Sequence, residues 1–105
     1  MKERVMFKMF LKPGCEKEYQ KRHREIWPEI VLLLRKNGIY EYSIFWDQET
    51  NELFGFQKKK EGASSQDLGN NVVMQKWWKY MSDIMETNLD YSPRSKFFEE
   101  VFYME

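Results

Sequence analysis

Histidine, cysteine, proline and glycine are scarce in these 105 residues, with one, one, three and five of them. A lone cysteine, Cys15, excludes an intramolecular disulfide and leaves no partner for a dithiol redox pair. A free thiol fits a chain that works in a reducing compartment. One histidine and one cysteine are too few ligands for a transition-metal centre, and no cofactor is expected. The glycines are scattered, so no glycine-rich phosphate loop is present. Net charge is missing as well. Seventeen basic and seventeen acidic residues cancel, which leaves neither a field nor a basic arm for nucleic acid. Lys58-Lys59-Lys60 reads as a solvated strand end beside Glu61. Long apolar runs are also lacking: Val5 to Leu11 is broken by Lys8 and is too short for a signal peptide or a membrane span. A cytoplasmic setting is therefore expected.

What the chain has in quantity is aromatic side chains. Eight Phe, six Tyr and four Trp make up 17% of it, against 32% charged residues. Large rings need a core, a pocket or a subunit interface to cover them. The length argues for one domain over residues 1–105, short enough to gain stability by association.

Hydrophobic periodicity orders the elements. Val5 to Leu11 reads as a strand stopped by the turn at Pro13-Gly14. From about Glu16 to Asn37, the residues Tyr19, His23, Ile26, Trp27, Ile30, Leu33 and Leu34 recur at helical spacing, and Gly38 is a stop signal. Pro28 either kinks this helix near Arg24 or restarts it from a first-turn position. Tyr40 to Trp46 alternates, with Tyr40, Tyr42, Ile44 and Trp46 expected on one face. Asp47 to Glu52 connects it to a second strand, Leu53 to Gln57. The small polar stretch from Gly62 begins as loop, Val72 to Met85 returns to helical spacing, and Phe97 to Tyr103 supplies a last strand. The order β-α-β-β-α-β is an α+β, ferredoxin-like arrangement. Its two helices cover one sheet face only, so the aromatic strands call for a partner sheet and predict a homodimer.

Two segments carry chemistry. His23 is the one side chain whose unperturbed pKa lies near neutrality, and Tyr19 and Trp27 stand one helical turn before and after it. A titratable ring among aromatics suits a neutral polar ring such as a sugar. Spacing alone still favours an ordinary surface histidine. Glu18, Arg22, Glu25 and Glu29 read as surface ion pairs. The second segment is Lys76-Trp77-Trp78-Lys79-Tyr80-Met81. Adjacent helical residues point about 100° apart, so one indole is expected in the core and the other beside a cavity or an interface. An indole face meets sugar C–H groups and its N–H donates to a hydroxyl.

These segments, in register with Gly38, Tyr42, Asp90-Tyr91-Ser92-Pro93 and Glu100-Val101-Phe102-Tyr103, resemble the L-rhamnose mutarotases over nearly the whole chain. The resemblance implies a ferredoxin-like domain that pairs through its sheets into a dimeric α/β barrel. It implies interconversion of the α and β anomers of L-rhamnose, an isomerase activity without metal or organic cofactor. It also implies His23 as proton donor and Tyr19, Tyr42, Trp77 and Trp78 as sugar-contacting residues. Between Lys58 and Asn71 the chain departs from the pattern: it is Lys-, Ser- and Asn-rich where the family begins its second helix with an aromatic residue. Trp27, just before Pro28, reads as packing at the kink. Two other functions fit the same architecture. One is a cofactor-independent monooxygenase or haem-handling protein, with His23 as a ligand. The other is a non-catalytic dimeric binding module.

Overall fold

A computed structural model describes residues 3–60 and 64–105. The first strand, β1 (Glu3–Phe10), is flanked by two others, β3 (Glu52–Lys59) and β4 (Ser95–Phe98), and β2 (Ile39–Asp47) pairs outside β3. The sheet order is β2-β3-β1-β4 with every pairing antiparallel, which is the ferredoxin-like topology. Alternation puts Phe7 and Met9 of β1 on the same side as Leu53, Gly55 and Gln57 of β3. Three helices cover that side: α1 (Glu16–Arg24), α2 (Pro28–Lys36) and α3 (Val72–Met81).

Phe7 is fully buried at the centre of the core, among Met9, Leu53, Ile30, Met74 and Met81. Burying such a ring contributes about 1.5–3 kcal/mol. Room for it comes from the facing strand: a Cβ at Gly55 would lie 2.7 Å from Phe7 Cζ. An alanine there would push the ring or the strand away.

Of the two outcomes open at Pro28, the restart is the one found, so the helical stretch over 16–37 is two helices, and three other expectations are corrected. Pro28 sits in the first turn of α2, where its missing N–H costs nothing, and Trp27 adopts the extended conformation of an N-cap. Gly38, at φ +80°, closes α2 in the left-handed conformation. In β2, Tyr40 does not share a face with Tyr42, Ile44 and Trp46. The register slips between Tyr40 and Ser43, and Glu41 takes φ +47°. This bulge turns Tyr42 inward, where its ring meets Phe7 at 6.2 Å, while Tyr40 faces the other side opposite Lys58.

The helix expected over Val72–Met85 ends at Met81. Ile84 and Met85 are buried as foreseen, but Ile84 O accepts from Lys12 N and Leu11 bridges to Met85, so the chain joins the end of β1 rather than another helical turn. The last strand covers Ser95–Phe98, not Phe97–Tyr103. Its pairing stops at Met6↔Phe98, and beyond it Glu100 and Tyr103 attach to the Arg4 side chain instead. In the divergent segment, residues 61–63 lie outside the described residues. Ser64 then caps a 3₁₀ turn, Ser65–Asp67, through a reciprocal capping box with Asp67, and Asn71 caps α3.

No helix of the described residues covers the far side of the sheet. Met6, Phe45 and Phe98 are exposed there, and Phe54 and Phe56 are partly so.

Candidate active site

His23 lies in the last turn of α1 with its ring stacked on Tyr19, one turn earlier, at 4.3 Å between centroids. Its Nδ1 lies 3.1 Å from the Tyr19 carbonyl oxygen. A carbonyl can only accept, so Nδ1 carries hydrogen and Nε2 is left to take or give a proton. Burial drives the His23 pKa below its ordinary value, and the Tyr19 carbonyl, which favours the cation, only partly offsets it. The lowered pKa favours the neutral ring, with its lone pair on Nε2.

The edge of Trp77 meets His23 at 5.6 Å. Trp27 packs edge-on against Trp77 at 5.1 Å and stacks on Tyr80 at 5.4 Å. Trp27 thus braces the wall from behind, at the break between α1 and α2. Arg22 ties α1 to the end of α3. Its guanidinium lies over the Tyr80 ring, donates to the Tyr80 carbonyl at 2.7 Å and to both oxygens of Asp83, and reaches Glu18 at 2.8 Å. The ion pairing expected along α1 is thus joined by a link across to the end of α3, next to His23.

The two indoles of α3 are not divided between core and cavity as expected: both belong to the core. Both are buried and both line one cavity, because the Leu68–Gly69 turn closes over the second. A Cβ at Gly69 would lie 3.1 Å from Trp78 Cζ3.

Opposite this wall stand Tyr42 and the 3₁₀ turn. Burial pushes the Tyr42 phenol up to about 12, with a hydrogen bond from Ser65 working against the rise. Tyr19 is raised well above its ordinary value, first by burial and then by the neighbouring Tyr42. Both tyrosines are thus neutral phenols that converge on the same space. Gln57, fully buried on β3, donates from Nε2 to Ser65 Oγ at 2.9 Å and accepts from Ser65 N at 3.0 Å. Gln66 Nε2 also donates to Ser65 Oγ, at 3.2 Å.

Between the walls lies a cavity of about 860 Å³, mostly apolar in its lining, in the size range of small-molecule sites. His23, Tyr19, Tyr42, Trp77 and Trp78, the five residues singled out from sequence, all line it. Ser65 and Gln66 line it too, and sequence reading passed over both. The Ser64-x-x-Asp67 capping box inside the polar stretch was the available signal. Among the described residues no three His, Cys, Asp or Glu side chains are grouped to hold a metal ion, and no helix is long and apolar enough to cross a membrane.

Fold and site together define a ferredoxin-like α+β domain with one titratable imidazole facing neutral phenols across an aromatic-walled cavity. A low-identity structural neighbour shares only the fold: a candidate antibiotic biosynthesis monooxygenase from Bordetella bronchiseptica superposes with a TM-score of 0.68 at 14% identity, over 96% of this chain and 98% of that one. Nearer relatives are more specific. An L-rhamnose mutarotase of Bacteroides thetaiotaomicron is 59% identical over 98% of this chain and 99% of its own length, and one of Phocaeicola vulgatus is 57% identical over the same shares. The crystal structure of an L-rhamnose mutarotase from Formosa agariphila has a TM-score of 0.88 at 51% identity, covering 98% of this chain and 99% of that one. The sequence model of the L-rhamnose mutarotases matches residues 4–104. The chain belongs to the L-rhamnose mutarotase family.

Proposed function

We propose that the chain is an isomerase that interconverts the α and β anomers of L-rhamnose, with His23 as its acid–base group. Near-full-length identity to mutarotases supports the activity. The observation that supports His23 is the pinned Nδ1, which leaves Nε2 as the proton-exchanging atom of the only histidine.

Neutral His23 takes the anomeric proton on Nε2. The C1–O5 bond breaks, and O5 gains a proton from a hydroxyl on the phenol side, either a tyrosine or a water it holds. The aldehyde end turns about C1–C2. On reclosure from the other face, the imidazolium returns its proton to the former carbonyl oxygen and O5 gives its own proton back. Atoms and charge balance, and the enzyme ends as it began. The proton-donor role implied by family resemblance is thus the second half of one cycle. General acid–base help of this kind is worth about 10²–10⁴ in rate.

Tyr19, Tyr42, Trp77 and Trp78 hold the sugar. The phenols bond its hydroxyls, and the indoles cover its C–H faces and the C6 methyl. An apolar wall favours that methyl over a hydroxymethyl only modestly.

The open sheet face supports a homodimer formed face to face, in which Met6, Phe45 and Phe98 leave water. Such pairing gives a dimeric α/β barrel, and light scattering measures it. A reducing, cytoplasmic setting suits the free Cys15. The activity is tested by dissolving one pure anomer of L-rhamnose and following optical rotation with and without protein. Faster relaxation, lost on His23→Ala, is expected. No acceleration by the wild-type protein would contradict the activity, and acceleration unchanged by the substitution would contradict the mechanism.

A further inference from the structure

The helix that carries His23 is weakly held by apolar packing. α1 has nine residues, Tyr19 is its one buried side chain, and Cys15 at its N-cap makes no side-chain hydrogen bond to it. A helix this short is marginal on its own. It stops at Arg24, and the chain changes direction before α2 starts at Pro28. One buried ring leaves the last turn of α1 free to slide, so the position of His23 needs a second anchor.

The contacts of Arg22 supply it. Although charged, this side chain is only 11% exposed. All three guanidinium nitrogens have partners. Nε donates to Glu18 at 2.8 Å, Nη1 to the Tyr80 carbonyl at 2.7 Å and to Asp83 at 2.8 Å, and Nη2 to Asp83 at 3.2 Å. Glu18 aligns the fork from within α1, while Tyr80 and Asp83 belong to the last turn of α3 and the residues just past it. The Tyr80 carbonyl is among the last four of its helix, which lack a helical donor. Arg22 and His23 are consecutive, and their contacts on α3, Tyr80 and Trp77, stand one turn apart. The two helices thus meet through adjacent rungs. The His23–Trp77 rung is a ring edge at 5.6 Å, which tolerates sliding. The Arg22 rung is a planar fork with directed bonds, which does not.

We propose that Arg22 is a positioning residue for the reaction, whose fork sets the register of α1 against α3 and so aims His23 at the bound sugar. The proposal rests on the reading above that His23 is the acid–base group. Arg22 acts through geometry: what shifts the His23 pKa is burial and the Tyr19 carbonyl, not the neighbouring guanidinium. A displacement of about 1 Å at a reacting group costs up to about 10²-fold in rate. Tyr42 and Trp78 hold the sugar from elements that Arg22 does not move, so the loss falls in kcat.

Arg22→Met, which keeps the stem and removes the fork, tests this. Glu18 and Asp83, the carboxylates it releases, are well exposed, so the variant is expected to fold, as circular dichroism checks. Its kcat for L-rhamnose mutarotation should fall about 10- to 10²-fold, with KM changed far less. The single histidine resonance should titrate closer to 6.5, because a ring released from its packing regains water. Arg22→Lys restores the charge without the fork and should recover little of either; it gives the same reading if Arg22→Met does not fold. In a His23→Ala background, Arg22→Met should cost almost nothing further. Full kcat, or a His23 titration that stays where it was, would make Arg22 a structural tie felt only in the melting temperature and would overturn the proposal. Recovery by Arg22→Lys would put charge in place of the fork and overturn it too, as would an equal loss in the His23→Ala background. These outcomes need an active wild type and sink the proposal alone. A wild type that leaves L-rhamnose mutarotation unaccelerated would sink the reading above and this proposal with it.

Discussion

The two walls of the cavity are built in opposite ways. The wall carrying His23 is made of rings: Tyr19 stacked on His23, Trp77 edge-on to it, Trp27 and Tyr80 behind. Among the described residues, its one directed polar contact with the imidazole is the Tyr19 carbonyl. The wall carrying Tyr42 is a hydrogen-bonded cluster in which Gln57, Ser65 and Gln66 occupy one another's polar groups. The difference separates two tasks. An aromatic, partly desolvated surround disfavours the imidazolium and keeps a base ready at neutral pH. A hydrogen-bonded cluster fixes its members against one another, even with Gln66 Oε1 left unpartnered, and tolerates little rearrangement.

Substitutions can break this contrast one wall at a time. His23→Ala has the largest expected effect on activity. Its kcat should fall about 10²- to 10⁴-fold while the far-ultraviolet circular dichroism stays that of the folded protein. Trp77→Ala should act mainly on the fold. It removes a side chain 7% exposed that joins both helices, at about 3–5 kcal/mol in a urea titration, and sugar binding should weaken with it. Tyr19→Phe keeps the ring that stacks on His23 and deletes only the hydroxyl. Stability should hold, while KM for L-rhamnose rises by about tenfold or less. An equal loss of stability in Tyr19→Phe and Trp77→Ala would erase the distinction between packing and polar recognition.

The smallest effect is expected behind the aromatic wall, at Asp83→Asn. The Arg22 guanidinium holds the Asp83 carboxyl below its ordinary value of 3.8. The pair therefore adds stability above the unfolded-state value, and that contribution is lost as pH falls through the lower folded-state value. Melting temperatures of wild type and Asp83→Asn should differ slightly at pH 7 and converge as the wild-type carboxyl is protonated.

The same contrast explains what the sequence disclosed. Tyr19 and His23 stand four residues apart on one helix, so local spacing already brought them together. The element order and the aromatic segment of α3 were legible for the same reason. Tyr42 was legible as an inward strand residue, but its supposed companion Tyr40 was not, because a bulge at a non-glycine residue, Glu41, leaves no mark in the alternation. Met81 as a helix end was hidden too: Ile84 and Met85 keep helical spacing while joining β1 instead. The polar wall was the least visible. Gln57 and Ser65 are eight residues apart on a strand and a 3₁₀ turn, and only tertiary folding shows that each completes the other.

Because the chain has a single histidine, one NMR titration bears directly on the central claim that neutral His23 is the proton-exchanging group beside the sugar. The imidazole Cε1–H resonance should titrate below 6.5, the nitrogen shifts of the neutral form should place its hydrogen on Nδ1, and L-rhamnose should move the resonance at constant pH. A histidine that titrates at 6.5 or above and ignores the sugar would contradict the account.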